Sequence, residues 1–224
     1  MGFAPLLIPQ HARAGLVVRN ATNMLLIDDQ AVVASCGAAF GTRPGQPPES
    51  HRYVLWRMWS RDRPLVVIGL NPSTATELTG DRTVNKCLHF ALREGMGGLV
   101  MLNLFSYRTP YPADIKRLVD ESWNNPDWPD AVTGGALHDR ILRWHTRVEF
   151  AAKVVYAWGA SGNSWDLGRA NTVMAMLARE RPDQWCFEVN QDGSPKHPLY
   201  LRNDSQIQPL ETAVYRPARQ RVSA

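Results

Sequence analysis

The 224-residue chain reads as an α/β protein, a three-layer α/β/α sandwich with a mainly parallel central sheet and helices on both faces. Three observations carry this. Leu65 to Leu70 is an unbroken apolar run, as in a parallel strand covered on both sides. Leu99 to Phe105 and Val154 to Trp158 repeat that pattern. Between such runs lie segments of helical spacing, the clearest placing Val84, Cys87, Leu88, Ala91 and Leu92 on one face. Strands alternating with helices imply crossovers, and crossovers imply parallel pairing.

Residues 1–50 form an N-terminal extension whose short apolar runs (Leu16–Val18, Met24–Ile27, Ala31–Ala34) suit short strands, and Gly41–Ser50 reads as a Gly- and Pro-rich loop. Residues 51–210 form the α/β domain. Its first strand, Arg52–Trp59, alternates only roughly and is expected near the sheet edge. Strand Leu65–Leu70 leads through a polar loop, Ser73–Arg82, into a helix over Thr83–Glu94, which Gly95, Gly97 and Gly98 terminate. After strand Leu99–Phe105, Pro110–Leu118 is a short helix with Pro112 in its first turn. The segment Asp120–Asp130, with Trp123, Asn124, Asn125 and Trp128, reads as a loop. A helix over Gly135–Phe150, strand Val154–Trp158, a helix over Trp165–Arg179 and a strand over Trp185–Val189 complete the alternation, before a turn and His197–Leu201. Residues 211–224 are a basic tail with Arg216, Arg219 and Arg221.

Composition narrows the function classes. No stretch approaches the ~18 consecutive apolar residues of a membrane span, and Pro5, Pro9 and Gln10 interrupt the opening segment, so neither a membrane partner nor a secretory signal is expected and the expected location is the cytoplasm. Cys36, Cys87 and Cys186 are far apart and make no metal-ligand spacing with the histidines, so they read as reduced, buried thiols and no metal is expected. A net charge of +4 and a pI of about 9.1 permit a nucleic-acid partner without demanding one. There is no GxxxxGK[ST] loop, no dinucleotide fingerprint in the right context and no Gly-x-Ser-x-Gly elbow.

Parallel strands bring their carboxyl ends to one rim, where open α/β sheets bind ligands. There stand Asn71 in Gly69-Leu-Asn-Pro72, Asn103, Trp158-Gly159-Ala160-Ser161 and His197. An amide presents both a donor and an acceptor, as a nucleobase edge does. A histidine can stabilise charge developing on a carbonyl oxygen. No pair of carboxylates arrives for ordinary glycosidase chemistry. The charges of Asp81, Arg82 and Arg108 suit a phosphate or a metal, with surface ion pairs as their default use. The other residues also have plainer uses, Asn71 in an Asx turn, Asn103 in tying down a loop, and His197 and Trp158 in packing.

Several segments resemble the bacterial and phage family called domain of unknown function 1643: Arg52-Tyr-Val-Leu-Trp-Arg57, Leu70-Asn-Pro-Ser-Thr-Ala75, Asp81-Arg-Thr-Val84 with Cys87, Gly98–Phe105 with Arg108, Ala157-Trp-Gly159 and His197-Pro-Leu-Tyr-Leu201. Their order is also similar to the motif order of the uracil-DNA glycosylase superfamily. That resemblance implies its fold, a DNA or nucleotide partner, and hydrolysis of an N-glycosidic bond without metal or other cofactor. It implies that Asn71 orients the attacking water, Asn103 reads the base edge and His197 stabilises the departing base. Ser73 and Thr74 stand where the uracil-specific branch has an excluding aromatic, which implies a roomier pocket for a modified base. Phe105, Trp158 and Gly159 would flank that base, and Arg108 would contact phosphate. Leu199-Tyr200 departs from the family's wedge sequence. The alternatives are a non-catalytic reader of a modified base or nucleotide, or an enzyme of nucleotide or nucleoside metabolism. Protein partners are not specified by the sequence.

Overall fold

The computed structural model describes residues 16–27, 30–43, 45–122, 128–160 and 164–210. The basic tail and Ser161 lie outside them. Strands β1 (Leu16–Ile27) and β2 (Gln30–Gly41) make a long hairpin that continues into β3 (His51–Met58). There follow β4 (Leu65–Gly69), α1 (Arg82–Arg93), β5 (Gly98–Asn103), α2 (Pro112–Ser122), α3 (Trp128–Thr133) and α4 (Gly135–Thr146). The chain then runs through β6 (Lys153–Tyr156), α5 (Ser164–Ala178), β7 (Trp185–Cys186), a 3-10 turn at Pro198–Tyr200, and β8 (Gln208–Pro209). All eight strands join one sheet in the order β1-β2-β3-β5-β4-β6-β7-β8.

The sheet is mixed, which corrects the expectation of a mainly parallel one. Only β5–β4, β4–β6 and β6–β7 pair in parallel; the other four pairings are antiparallel. For the β1–β2 and β2–β3 pairs the cause is connection length. A parallel pair needs a crossover of roughly a dozen residues. The links β1–β2 and β2–β3 are shorter than that and fold back as a meander.

The hairpin also corrects the position of β3, which is an interior strand between β2 and β5, with seven of its eight residues buried. The short apolar runs of residues 16–34 are parts of two continuous strands of 12 residues. Arg19, Asn20 and Thr22, which break the apolar pattern of β1, are exposed. Backbone pairing runs past them because it does not depend on their side chains. In the segment read as the loop Asp120–Asp130, α2 continues to Ser122 and α3 begins at Trp128. The last parallel strand is only Trp185–Cys186.

β4 lies at the centre, and its side chains alternate between two cores. Leu65 and Val67 join Leu99 and Met101 of β5 against Val84, Cys87, Leu88 and Ala91 of α1. Val66 and Ile68 join Val100 and Leu102 on the opposite face, beneath Ile115 of α2, Val132 of α3, Ile141 of α4 and Val173 of α5. Helices therefore cover both faces. The three cysteines are free and buried, as read from their spacing. No helix among the described residues is long and apolar enough to cross a membrane.

Candidate functional site

The carboxyl ends of β4, β5 and β6 open into a cavity of about 680 Å³, within the size range of small-molecule pockets. Asn71, Ser73, Asn103, Trp158, Gly159 and His197 all line it. Thr74, Phe105 and Arg108 do not. Thr74 is exposed on the loop after β4, Phe105 is buried in the core, and Arg108 lies over the Phe40 ring, 4.8 Å from its centroid.

The loops after β4 and β5 are laced together. Leu104 and Phe105 donate backbone N–H groups to the Gly69 and Leu70 carbonyls at 2.9 Å, and Thr109 donates to the Pro72 carbonyl at 3.0 Å. Asn71 completes the lacing: its Nδ2 donates to the Thr109 carbonyl at 2.8 Å and to the Pro72 carbonyl at 3.0 Å. With both donors used, the acceptor Oδ1 is the atom left to meet a ligand.

Asn103 is used differently. It is 3% exposed, yet its side-chain amide has no hydrogen-bond partner among the described residues and borders the cavity. Gly69 makes room for it, since a Cβ at Gly69 would stand 3.0 Å from Asn103 Oδ1. Its backbone is held from behind, where His138 Nε2 donates to the Asn103 carbonyl at 2.7 Å. Burial lowers the pKa of His138 to about 3, so its ring is neutral.

His197 is set by the turn that follows it. Its Nδ1 accepts the Leu199 backbone N–H at 3.3 Å. Burial lowers its pKa below the ordinary histidine value, with Asp81 pulling weakly the other way. A neutral ring whose Nδ1 accepts carries its proton on Nε2, so His197 offers a donor. Gly159 makes that placement possible: its φ is +88°, and a Cβ there would sit 3.0 Å from the His197 Cβ. Trp158 is 3% exposed and packs on Tyr156 with ring centroids 5.0 Å apart.

Three charged groups that line the cavity, Arg52, Asp81 and Lys116, are not among the cavity residues expected from the sequence. β3 runs antiparallel to β5, so its amino end, not its carboxyl end, reaches the same rim and delivers Arg52. This guanidinium is 2% exposed and donates from Nη1 to the Ala75 carbonyl at 2.8 Å, while its Nε has no partner among the described residues. Burial pushes its pKa down to about 9 against the opposing pull of Asp81, and nearby Arg108 and Arg57 push the same way as burial. Asp81, also lining the cavity, caps α1 by accepting the Val84 N–H at 2.8 Å. For Arg52 the signal in the sequence is a charge set directly against the apolar run Tyr53–Trp56. Lys116 reaches the cavity from α2, ion-paired to Asp120.

The structure is that of a mixed α/β protein with a cavity at the carboxyl ends of its central parallel strands. The chain belongs to the family described as "Protein of unknown function (DUF1643)", whose profile matches residues 52–199, about two-thirds of its length. No curated protein and no solved structure matches it.

Proposed function

We propose that this protein binds a modified nucleobase of DNA in the cavity and hydrolyses its N-glycosidic bond, in the manner of the uracil-DNA glycosylase superfamily and on a related three-layer fold. The observation that carries the reading is the convergence of Asn71, Asn103 and His197 on one cavity, each with a different group available. Asn71 Oδ1 accepts a hydrogen bond from water and turns the water's lone pair toward the anomeric carbon. The carbon–nitrogen bond breaks with its electron pair going to the base, the water oxygen bonds to the sugar carbon, and the water's proton passes to solvent. The His197 Nε2–H donates to the base oxygen on which negative charge accumulates. The Asn103 amide pairs with the base edge, an interaction its unpartnered and buried state favours. A base in duplex DNA must be flipped to reach such a cavity. The setting expected for this work is the cytoplasm.

A second reading, a module that binds without chemistry, is favoured by the two backbone bonds of Asn71, which a purely structural amide would also make. Oligonucleotides carrying uracil, mismatched pyrimidines and bulky modified pyrimidines separate the two. Alkali-induced strand breaks with wild type but not with Asn71→Ala are the expected result. Binding without breaks on any substrate points to the module.

A further inference from the structure

We propose that Arg52 builds an anion subsite in the interior of the cavity, which receives a phosphate or carboxylate group of the bound ligand. The inference rests on the cavity being the ligand site, but not on glycosidic chemistry taking place there.

The other buried arginines of the chain, Arg57 and Arg181, are fully engaged within the protein. Arg57 is 2% exposed and donates to the carbonyls of Trp56 (2.8 Å), Thr76 (2.6 Å) and Thr79 (3.3 Å). Arg181, 4% exposed, donates to the carbonyls of Ala151 (2.8 Å) and Ala152 (2.9 Å) and pairs with Asp183 at 2.9 Å. Both have the carbonyl and carboxylate partners of a structural guanidinium. Arg52 is as deeply buried, yet makes one hydrogen bond, to Ala75, and no ion pair among the described residues. A guanidinium carries five N–H groups, and an enclosed cation with a single hydrogen bond is costly. Unlike Arg57 and Arg181, Arg52 borders the cavity.

The surrounding groups fit an incoming anion. Asp81 is the carboxylate that acts on Arg52 electrostatically, but its Oδ1 is engaged in capping α1. Thr83 and Val84 of the first turn of α1 line the same cavity, and the amino end of a 12-residue helix favours negative charge. Arg52 and Asn103 are nearly inaccessible, whereas Asn71, Ser73 and His197 are half-buried, so the cation and the free amide lie further from solvent. A guanidinium fork matches the paired oxygens of a phosphate or carboxylate. Such a group can come from an acidic substituent on a base or from the terminal phosphate of a free nucleotide.

Isothermal titration at fixed ionic strength tests both sources. Thymidine 5′-monophosphate is compared with thymidine, and an oligonucleotide containing 5-carboxyuracil with one containing thymine, using wild type and Arg52→Met. At least tenfold tighter binding of the charged member of one pair, abolished in Arg52→Met, is expected, and the pair that shows it names the source. Equal binding within both pairs, or no binding of either charged member, overturns the subsite. Circular dichroism checks the fold of the variant. Should Arg52→Met fail to fold, the wild-type contrast decides, together with the melting temperature in inorganic phosphate against chloride of equal ionic strength: a rise in phosphate supports the subsite and no rise overturns it. A charged-ligand preference without strand breaks retains the subsite and rejects glycosidic cleavage. Breaks without that preference do the reverse.

Discussion

Asn71 and Asn103 carry the same side chain and stand at the ends of adjacent parallel strands, but the protein treats them oppositely. Asn71 gives two hydrogen bonds to backbone carbonyls. Asn71→Ala removes both, and at roughly 0.5–1.5 kcal/mol for each bond should cost about 2 kcal/mol in urea denaturation. Asn103 spends its amide on nothing among the described residues while being almost fully buried. An apolar group of similar shape at this position removes no hydrogen bond to a described residue. Asn103→Leu should therefore hold or raise the melting temperature while ligand binding is lost; a clear drop in stability would show that the amide supports the fold instead. Gly159 stands apart from both. Its φ of +88° and its closeness to His197 predict that Gly159→Ala costs about 1–3 kcal/mol from backbone strain alone. It should also shift His197, visible as a changed ring chemical shift.

At the level of elements, the back of the site is a packed histidine layer. His51, at the start of β3, bonds Ser106 Oγ through Nδ1 and Gln46 Oε1 through Nε2, both at 2.7 Å. His138 of α4 holds the end of β5, and Tyr53 packs between the two rings. Burial lowers the pKa of His51 to about 4, with Arg43 adding to it, and that of His138 to about 3. Both values lie below that of an unfolded histidine, ~6.5. As pH falls below 6.5 the unfolded chain takes up protons that the folded chain refuses, so stability present above pH 6.5 drains away toward pH 4. The linkage sets an upper bound of about 3 kcal/mol per histidine by pH 4. Urea melts from pH 7 to 4 should show this decline, and His138→Gln should flatten it. None of this layer was legible in the sequence, because each histidine stands alone in its own segment and the layer exists only after β3, β5 and α4 have packed. The apolar strands β4, β5 and β6 were legible: a strand covered on both faces needs no alternation, and Leu65–Ile68 shows none.

For the whole molecule, the legible part was the alternating core and the hidden part was its antiparallel flank. Nothing in the pattern of Arg52–Trp59 separates an interior antiparallel strand from an edge strand; the hairpin beside it decides, and its polar residues mask its length. The direction of β3 also determines what the site contains. A rim assumed to collect only carboxyl ends admits the two asparagines and excludes Arg52, which an amino end delivers. Removing residues 1–44 would strip β2 from β3 and leave an eight-residue, almost wholly buried strand as an open edge. Such edges recruit other chains. The truncated protein should form oligomers or precipitate on size-exclusion chromatography, and a monodisperse, folded product would contradict this account.

The dipeptide Asn71-Pro72 bears on chemical ageing as well as on geometry. Asparagine loses its amide over time mainly when the next residue's backbone nitrogen attacks the side-chain carbonyl. Proline has no N–H to open that route. The product would be an aspartate facing the Pro72 and Thr109 carbonyls across 3.0 and 2.8 Å, where oxygen would meet oxygen and the side-chain tie between the two loops would be lost. Proline at position 72 therefore does more than end a strand: it protects the amide that ties the mouth of the cavity together for the lifetime of the protein.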